Sequence, residues 1–230
     1  MVKLMQNLKL MRSISGYIFS GLLLLCLLPS VYGQDTLRTY GPRIGINLAP
    51  IVGFFSDPQV IGADASLDFE LFPNVYPVFE LGYSSMADSL DEVSYHSGGG
   101  FARLGIDYNF LNLKDRSQHH AITAGFRYGS SIFKHRAENI TVESDYWGDY
   151  FIDNYENNLN GHWLELVGGI TAEVANNLFI GWSVRYKILL NPGMDPQMVP
   201  LLIPGYGDGS INRVFGFTYS LLYKIPIIKK

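Results

Sequence analysis

Ala63, Asp64, Ala65, Ser66, Leu67, Asp68, Phe69, Glu70 and Leu71 alternate without a break between apolar and polar side chains. A period of two puts successive side chains on opposite faces of an extended chain, so this stretch predicts a strand with one apolar and one acidic face.

The same period recurs on both sides. Ile44, Ile46 and Leu48 stand against Arg43, Gly45 and Asn47 before it. After it, Val75, Pro77, Phe79, Leu81 and Tyr83 stand against Tyr76, Glu80 and Gly82, and Ala102, Leu104, Ile106, Tyr108 and Phe110 against Arg103, Gly105, Asp107 and Asn109. Then Ile122, Ala124, Phe126 and Tyr128 face away from Thr123, Gly125, Arg127 and Gly129, and Leu164, Leu166, Ile170 and Ala172 from Glu165, Gly169, Thr171 and Glu173. Ile180, Trp182, Val184, Tyr186 and Ile188 oppose Gly181, Ser183, Arg185 and Lys187, and Phe215, Phe217, Tyr219, Leu221 and Tyr223 oppose Gly216, Thr218, Ser220 and Lys224. Eight such runs, many ending on aromatics, predict an all-β, eight-stranded antiparallel up-and-down transmembrane β-barrel.

Connection lengths point the same way. Phe72 to Asn74, Leu111 to Gln118 and Ala175 to Asn177 are short, whereas Ser85 to Ser97, Ser131 to Gly161 and Asn191 to Ser210 are long, and the first connection, near Ser56 to Val60, reads as brief. Outer-membrane barrels alternate short periplasmic turns with longer outer loops, so both termini are expected in the periplasm.

Ahead of the barrel, Lys3, Lys9 and Arg12 precede an uncharged run from Ile18 to Leu28 that ends near Pro29, which predicts a secretory signal over residues 1–33. Val31, Tyr32 and Gly33 suggest cleavage before Gln34, leaving a short periplasmic segment at 34–40 and the barrel domain at 41–230. The single cysteine, Cys26, lies within the signal, behind a Leu25 too large for a lipoprotein site, so no disulfide framework is available to the barrel. Beyond residue 33 the chain carries 14 bases against 21 acids, a balance that excludes a nucleic-acid footprint.

The polar face mixes glycine with ionisable groups, as suits a cramped interior better than a solvent surface. Asp64, Asp68, Glu70, Glu80, Asp107, Glu165 and Glu173 are set against Arg43, Arg103, Arg127, Arg185, Lys187 and Lys224. Charges confined in a narrow lumen must pair, so these residues are expected to form an arginine–carboxylate network that plugs the barrel and leaves no wide pore.

The stretch from His162 through Trp163, Leu164, Glu165, Leu166, Val167, Gly168, Gly169 and Ile170, with Ala172, Glu173, Asn176 and Asn177, resembles a domain-of-unknown-function family of small Gram-negative outer-membrane barrels. Ile180, Gly181, Trp182, Ser183 and Arg185 continue the resemblance, as do Ile203, Pro204 and Gly205, then Gly216, Phe217 and Tyr219, and the Ile225 to Lys230 tail. Leu104, Gly105, Asp107 and Tyr108 and the run from Phe126 to Gly129 fit as well. The resemblance implies the fold and a membrane, and no activity. In strand number and size the chain is also similar to barrels of the OmpA and OmpX kind, an architectural analogy only. Such barrels commonly end on an aromatic, whereas this chain runs past Tyr219 and Tyr223 to a Lys-Lys end.

Candidate sites are few. Tyr146, Trp147, Tyr150, Phe151 and Tyr155 lie among acids in the longest connection, a pattern suited to recognising an extracellular protein or glycan. The competing and preferred reading is that this segment extends the strands, its charges serving solubility. Asp145, Asp149 and Asp153 lack the oxygen spacing and turn glycine of a calcium loop. Of five histidines, His96 with Ser97 and Asp91 is the nearest approach to a nucleophile, base and acid. His119 and His120 belong to the periplasmic rim, His162 to the outer rim, and His135 to the longest connection. Gly98, Gly99 and Gly100 read as a strand start.

The expectation is thus a cell outer-membrane barrel in contact with outer-membrane lipid and the barrel assembly machinery, without cofactor or metal, structural or interactive through its outer loops and not an enzyme. A membrane-barrel enzyme acting on lipid or peptide, and a soluble periplasmic barrel holding an apolar ligand, are the alternatives.

Overall fold

A computed structural model describes residues 39–50, 59–90, 93–111, 120–142 and 150–229. The expected signal at 1–33 lies outside them. Among the described residues ten strands follow one another: β1 (Thr39–Tyr40), β2 (Arg43–Asn47), β3 (Val60–Asp68), β4 (Val75–Leu90), β5 (Val93–Asn109), β6 (Ala121–Val142), β7 (Tyr150–Ala175), β8 (Leu178–Leu189), β9 (Arg213–Lys224) and β10 (Ile228–Lys229). Strands β2 to β9 pair with their sequence neighbours, all antiparallel, and β9 closes on β2 through Ile44↔Tyr223 and Ile46↔Leu221. The result is the eight-stranded closed barrel that the alternation requires, and closure leaves no unpaired sheet edge in the barrel. The short strands β1 and β10 pair beside it through Thr39↔Lys229 and Tyr40↔Ile228.

Sequence dictates the tight turns at one end. Asn177 takes a left-handed φ of 63°, which asparagine tolerates better than most residues, and its backbone N–H is held by the Glu173 carboxylate at 2.8 Å. Asn74, at φ 67°, repeats the device with Glu70 at 3.3 Å. Glu70 and Glu173, expected in the lumen network, therefore each brace a turn at this end of the barrel.

At the other end the strands outrun the expectation of about ten residues each. β6 and β7 reach 22 and 26 residues, pairing from Ala121↔Thr171 up to Val142↔Tyr150. β4 and β5 pair up to Leu90↔Val93, so most of the expected loop from Ser85 to Ser97 is ladder, and Gly98, Gly99 and Gly100 sit inside β5 rather than at its start. The cause is visible in the residues: above Ile132 the outward positions of β6 turn to Lys134 and Arg136, which end the apolar face without ending the backbone pairing. The first connection, read as brief, spans residues 48–59, of which 51–58 lie outside the described residues.

Alternation sorts the side chains as the period of two demands. Leu104, Ile106, Tyr108, Phe126, Leu166 and Phe215 are exposed on the outward face, whereas Glu80, Arg103, Arg127, Glu165 and Arg185 are buried inside. At these positions the barrel therefore carries its charge within and its large apolar side chains without.

Candidate functional site

The interior is built in layers. Nearest the tight turns, Arg43 on β2 donates to Asp68 on β3 at 2.6 Å, and its guanidinium lies 4.9 Å from the Tyr76 ring and 5.8 Å from Phe179. Lys224, buried beside them, sits 5.3 Å from the same Phe179 ring.

The middle layer is ionic and draws on six strands. Glu80 on β4 accepts from Arg103 at 2.5 Å and from Arg185 at 2.8 and 2.9 Å, and forms an ion pair with Arg127, whose Nε lies 3.0 Å away. Arg103 also reaches Asp64 at 3.0 Å, Arg127 reaches Asp107 at 2.9 Å, and Arg185 reaches Glu165 at 3.1 Å. One carboxylate thus serves three guanidiniums. That arrangement is stable in a desolvated interior only because the second carboxylates balance the surplus positive charge. Each donor and acceptor stands on a strand fixed by its neighbours, so the layer cannot part without deforming the barrel.

Above the ionic layer the inward parity becomes apolar, which alternation alone does not announce. Phe101, Phe133, Leu159, Trp163 and Leu189 line a chamber, and Ile203 and Tyr206 from the β8–β9 connection fill it. The Trp163 indole N–H donates to Glu165 at 2.7 Å, tying the chamber to the charges beneath. Gly129 faces Trp163 so closely that any Cβ there would collide with the indole. The connection, expected as an outer loop, instead folds into the barrel: Ile203 is 0% and Tyr206 1% exposed. Gly205 permits this, because its φ is +78° and a Cβ would lie 2.5 Å from the Phe101 ring.

Side chains of the wall hold the connection. Lys187 donates to the Gly205 and Tyr206 carbonyls at 2.7 and 2.9 Å. Ser97 donates to the Leu202 carbonyl at 2.7 Å, and the Leu201 N–H donates to the Tyr95 hydroxyl at 2.9 Å. At the mouth, Asp195 accepts from the Tyr155 hydroxyl at 2.8 and 2.7 Å, from Asn157 at 3.1 Å and from its own Gln197 N–H at 3.0 Å. His135 Nε2 lies 2.8 Å from the same carboxylate, and its Nδ1 lies 3.4 Å from the Tyr95 hydroxyl. Burial pushes the Asp195 carboxyl up, but the hydrogen bonds from Tyr155, Asn157, the Gln197 backbone and His135 outweigh it and hold the group below the usual carboxylate range. Burial pushes the Tyr206 phenol up to about 12.

The expected recognition patch fares differently residue by residue. Tyr146 and Trp147 lie outside the described residues, as do Asp145 and Asp149, and of the Tyr150 and Phe151 side chains nothing is described. Tyr155 points into the mouth to Asp195 and not outward, because it shares the inward parity of Asn157 and Leu159. His96 and Ser97 are successive strand residues and so face opposite sides: His96 is exposed, Ser97 buried under the connection, and Asp91 lies outside the described residues. His162 meets the Tyr128 hydroxyl at 2.9 Å on the outward face. Among the described residues no group of three or more His, Cys, Asp or Glu is placed to hold a metal ion.

The model of the family described as "Domain of unknown function (DUF6048)" matches residues 11–230. No curated protein matches the chain. Among solved structures, the crystal structure of Acinetobacter baumannii CarO2 is 14% identical, with 83% of this chain and 100% of that one covered and a TM-score of 0.39.

Proposed function

We propose that this chain, which belongs to the DUF6048 family, is an outer-membrane barrel with a filled interior, structural or interactive in role, and neither a wide pore nor an enzyme. The outward face carries the reading. Leu104 is 63%, Phe110 62%, Ile132 73% and Phe215 67% exposed, around a closed barrel whose Glu80-centred ion pairs are inside. Monomeric soluble proteins rarely expose apolar patches beyond a few hundred Å², and here the apolar positions run round the strands. On β6 they extend from Ile122 to Ile132 before Lys134, close to the roughly 9–11 residues a tilted strand needs to cross a bilayer. Outward aromatic pairs, Tyr108 with Phe110 at 4.9 Å and Trp182 with Phe217 at 6.4 Å, suit the bilayer boundary.

In this orientation the tight turns and both termini face the periplasm, and the long β6–β7 ladder stands outside the cell, where its exposed Lys134–Glu156 pair at 2.7 Å and the neighbouring Arg136–Glu138 pair offer a polar surface to an extracellular protein or glycan. Outer-membrane lipid and the barrel assembly machinery are the obligatory partners. Planar bilayers test the filled interior: reconstituted protein is expected to give no stable porin-like conductance, and large steady steps would overturn the reading.

A further inference from the structure

We infer that the β8–β9 connection is a releasable plug, latched by Asp195 over an apolar chamber at the barrel mouth. Two occlusions lie in series inside this barrel, and they differ in kind. The ionic layer is made of strand residues and is as fixed as the ladder itself. The connection is instead held to the wall through side chains: Lys187, Ser97 and Tyr95 bind its backbone, and Asp195 alone supplies a charged side chain of its own to the wall. Its backbone bonds to the barrel lie at its base, where Leu189 N–H meets the Asn212 carbonyl at 3.0 Å and Leu190 N–H the His162 carbonyl at 2.8 Å.

The connection also carries the conformational freedom a moving segment needs, with Gly193, Gly205 and Gly207 at φ of 71°, 78° and 123°. What it covers is unlike the rest of the lumen. Phe101, Phe133, Leu159, Trp163 and Leu189 line the wall there, and Ile203 and Tyr206 stand in for the solvent or solute that would otherwise meet them.

The latch is a charge-assisted cluster. Tyr155 and Asn157 approach Asp195 from β7 and His135 from β6, with Tyr95 of β5 behind the imidazole. All of these face one carboxylate, and no second acid among the described residues shares the cluster. Replacing the carboxylate by an amide keeps the volume but sets an N–H₂ against the Tyr155, Asn157 and His135 donors, so the latch should fail while the barrel stays closed. The inference is independent of whether lipid covers the outward face.

Ser97 gives a direct reporter, since it lies on the wall, is 0% exposed and touches Leu202 of the connection. In the full chain carrying Cys26→Ser, Ser97→Cys becomes the only thiol. Its labelling by a charged maleimide is expected to be slow, and Asp195→Asn is expected to speed it about tenfold or more, the loss anticipated for hydrogen bonds to a buried charge. Tyr155→Phe, which leaves the charge in place, should speed it less; it is read instead if Asp195→Asn fails to give the heat-modifiable gel mobility of a closed barrel. The inference is overturned if the variant that keeps a closed barrel labels as slowly as its parent, or if the parent thiol already labels as fast as the exposed Asn154→Cys control.

Discussion

Glu80 is where single-residue chemistry matters most to the barrel. Three guanidiniums converge on its two oxygens, so Glu80→Gln leaves Arg103, Arg127 and Arg185 with too few acceptors in a desolvated layer. Breaking a buried ion pair from one side costs about 3–5 kcal/mol, and urea refolding of the variant in detergent should show a loss of that order. A loss below about 1 kcal/mol would mean the layer is hydrated like a surface. At the mouth, two groups set opposite limits on pH. The depressed Asp195 carboxyl adds stability to the seated connection above the ordinary carboxylate range, and that stability fades only as the pH falls below about 4. The raised Tyr206 phenol adds stability below its ordinary value of about 10, lost as the pH climbs towards about 12. Acrylamide quenching of Trp163, read in a Trp147→Phe, Trp182→Phe chain, should therefore stay low and flat between these limits and rise outside both. Quenching that rises between about pH 5 and 9 would contradict this assignment.

At the scale of the strand, the outward face and the connection make separate claims. Leu104 stands in the middle of the exposed apolar run of β5, and Leu104→Arg should destabilise a bilayer-embedded barrel by about 2–4 kcal/mol. The same charge already sits at Lys134, so Lys134→Arg should cost nothing measurable. Equal effects at the two positions would place both in water. For the connection, Gly205→Ala introduces both a left-handed strain and a collision with Phe101, and should raise Trp163 quenching while the barrel stays closed. Unchanged quenching would show that the segment seats without the glycine.

Alternation made the barrel strands legible, because side-chain parity is a local property that Asp64 or Arg185 reveals without knowledge of its neighbours. The closing pair β9 and β2 followed from the count of runs. What stayed hidden was non-local. Phe101, Phe133, Trp163 and Leu189 stand on the polar parity, and only the folded connection explains apolar residues there. Asp195 and His135 meet across 60 residues, and no spacing signals that encounter. The β6–β7 extension agrees with the preferred reading of that segment, whereas the upper β4–β5 ladder reads as a loop in the sequence because outward residues such as Ser94 and His96 are polar, although their backbones pair throughout.

On the scale of the whole molecule, the proposed outer-membrane barrel is closed and turned inside out relative to a soluble one, with lipid against its apolar face. The direct measurement is fractionation of the cell envelope followed by gel electrophoresis of boiled and unboiled samples, because a closed barrel with every strand paired resists detergent until heated. The protein is expected to enter the outer-membrane fraction, to need detergent for release and to shift in mobility on boiling. A band released by salt alone, running identically before and after boiling, would contradict it.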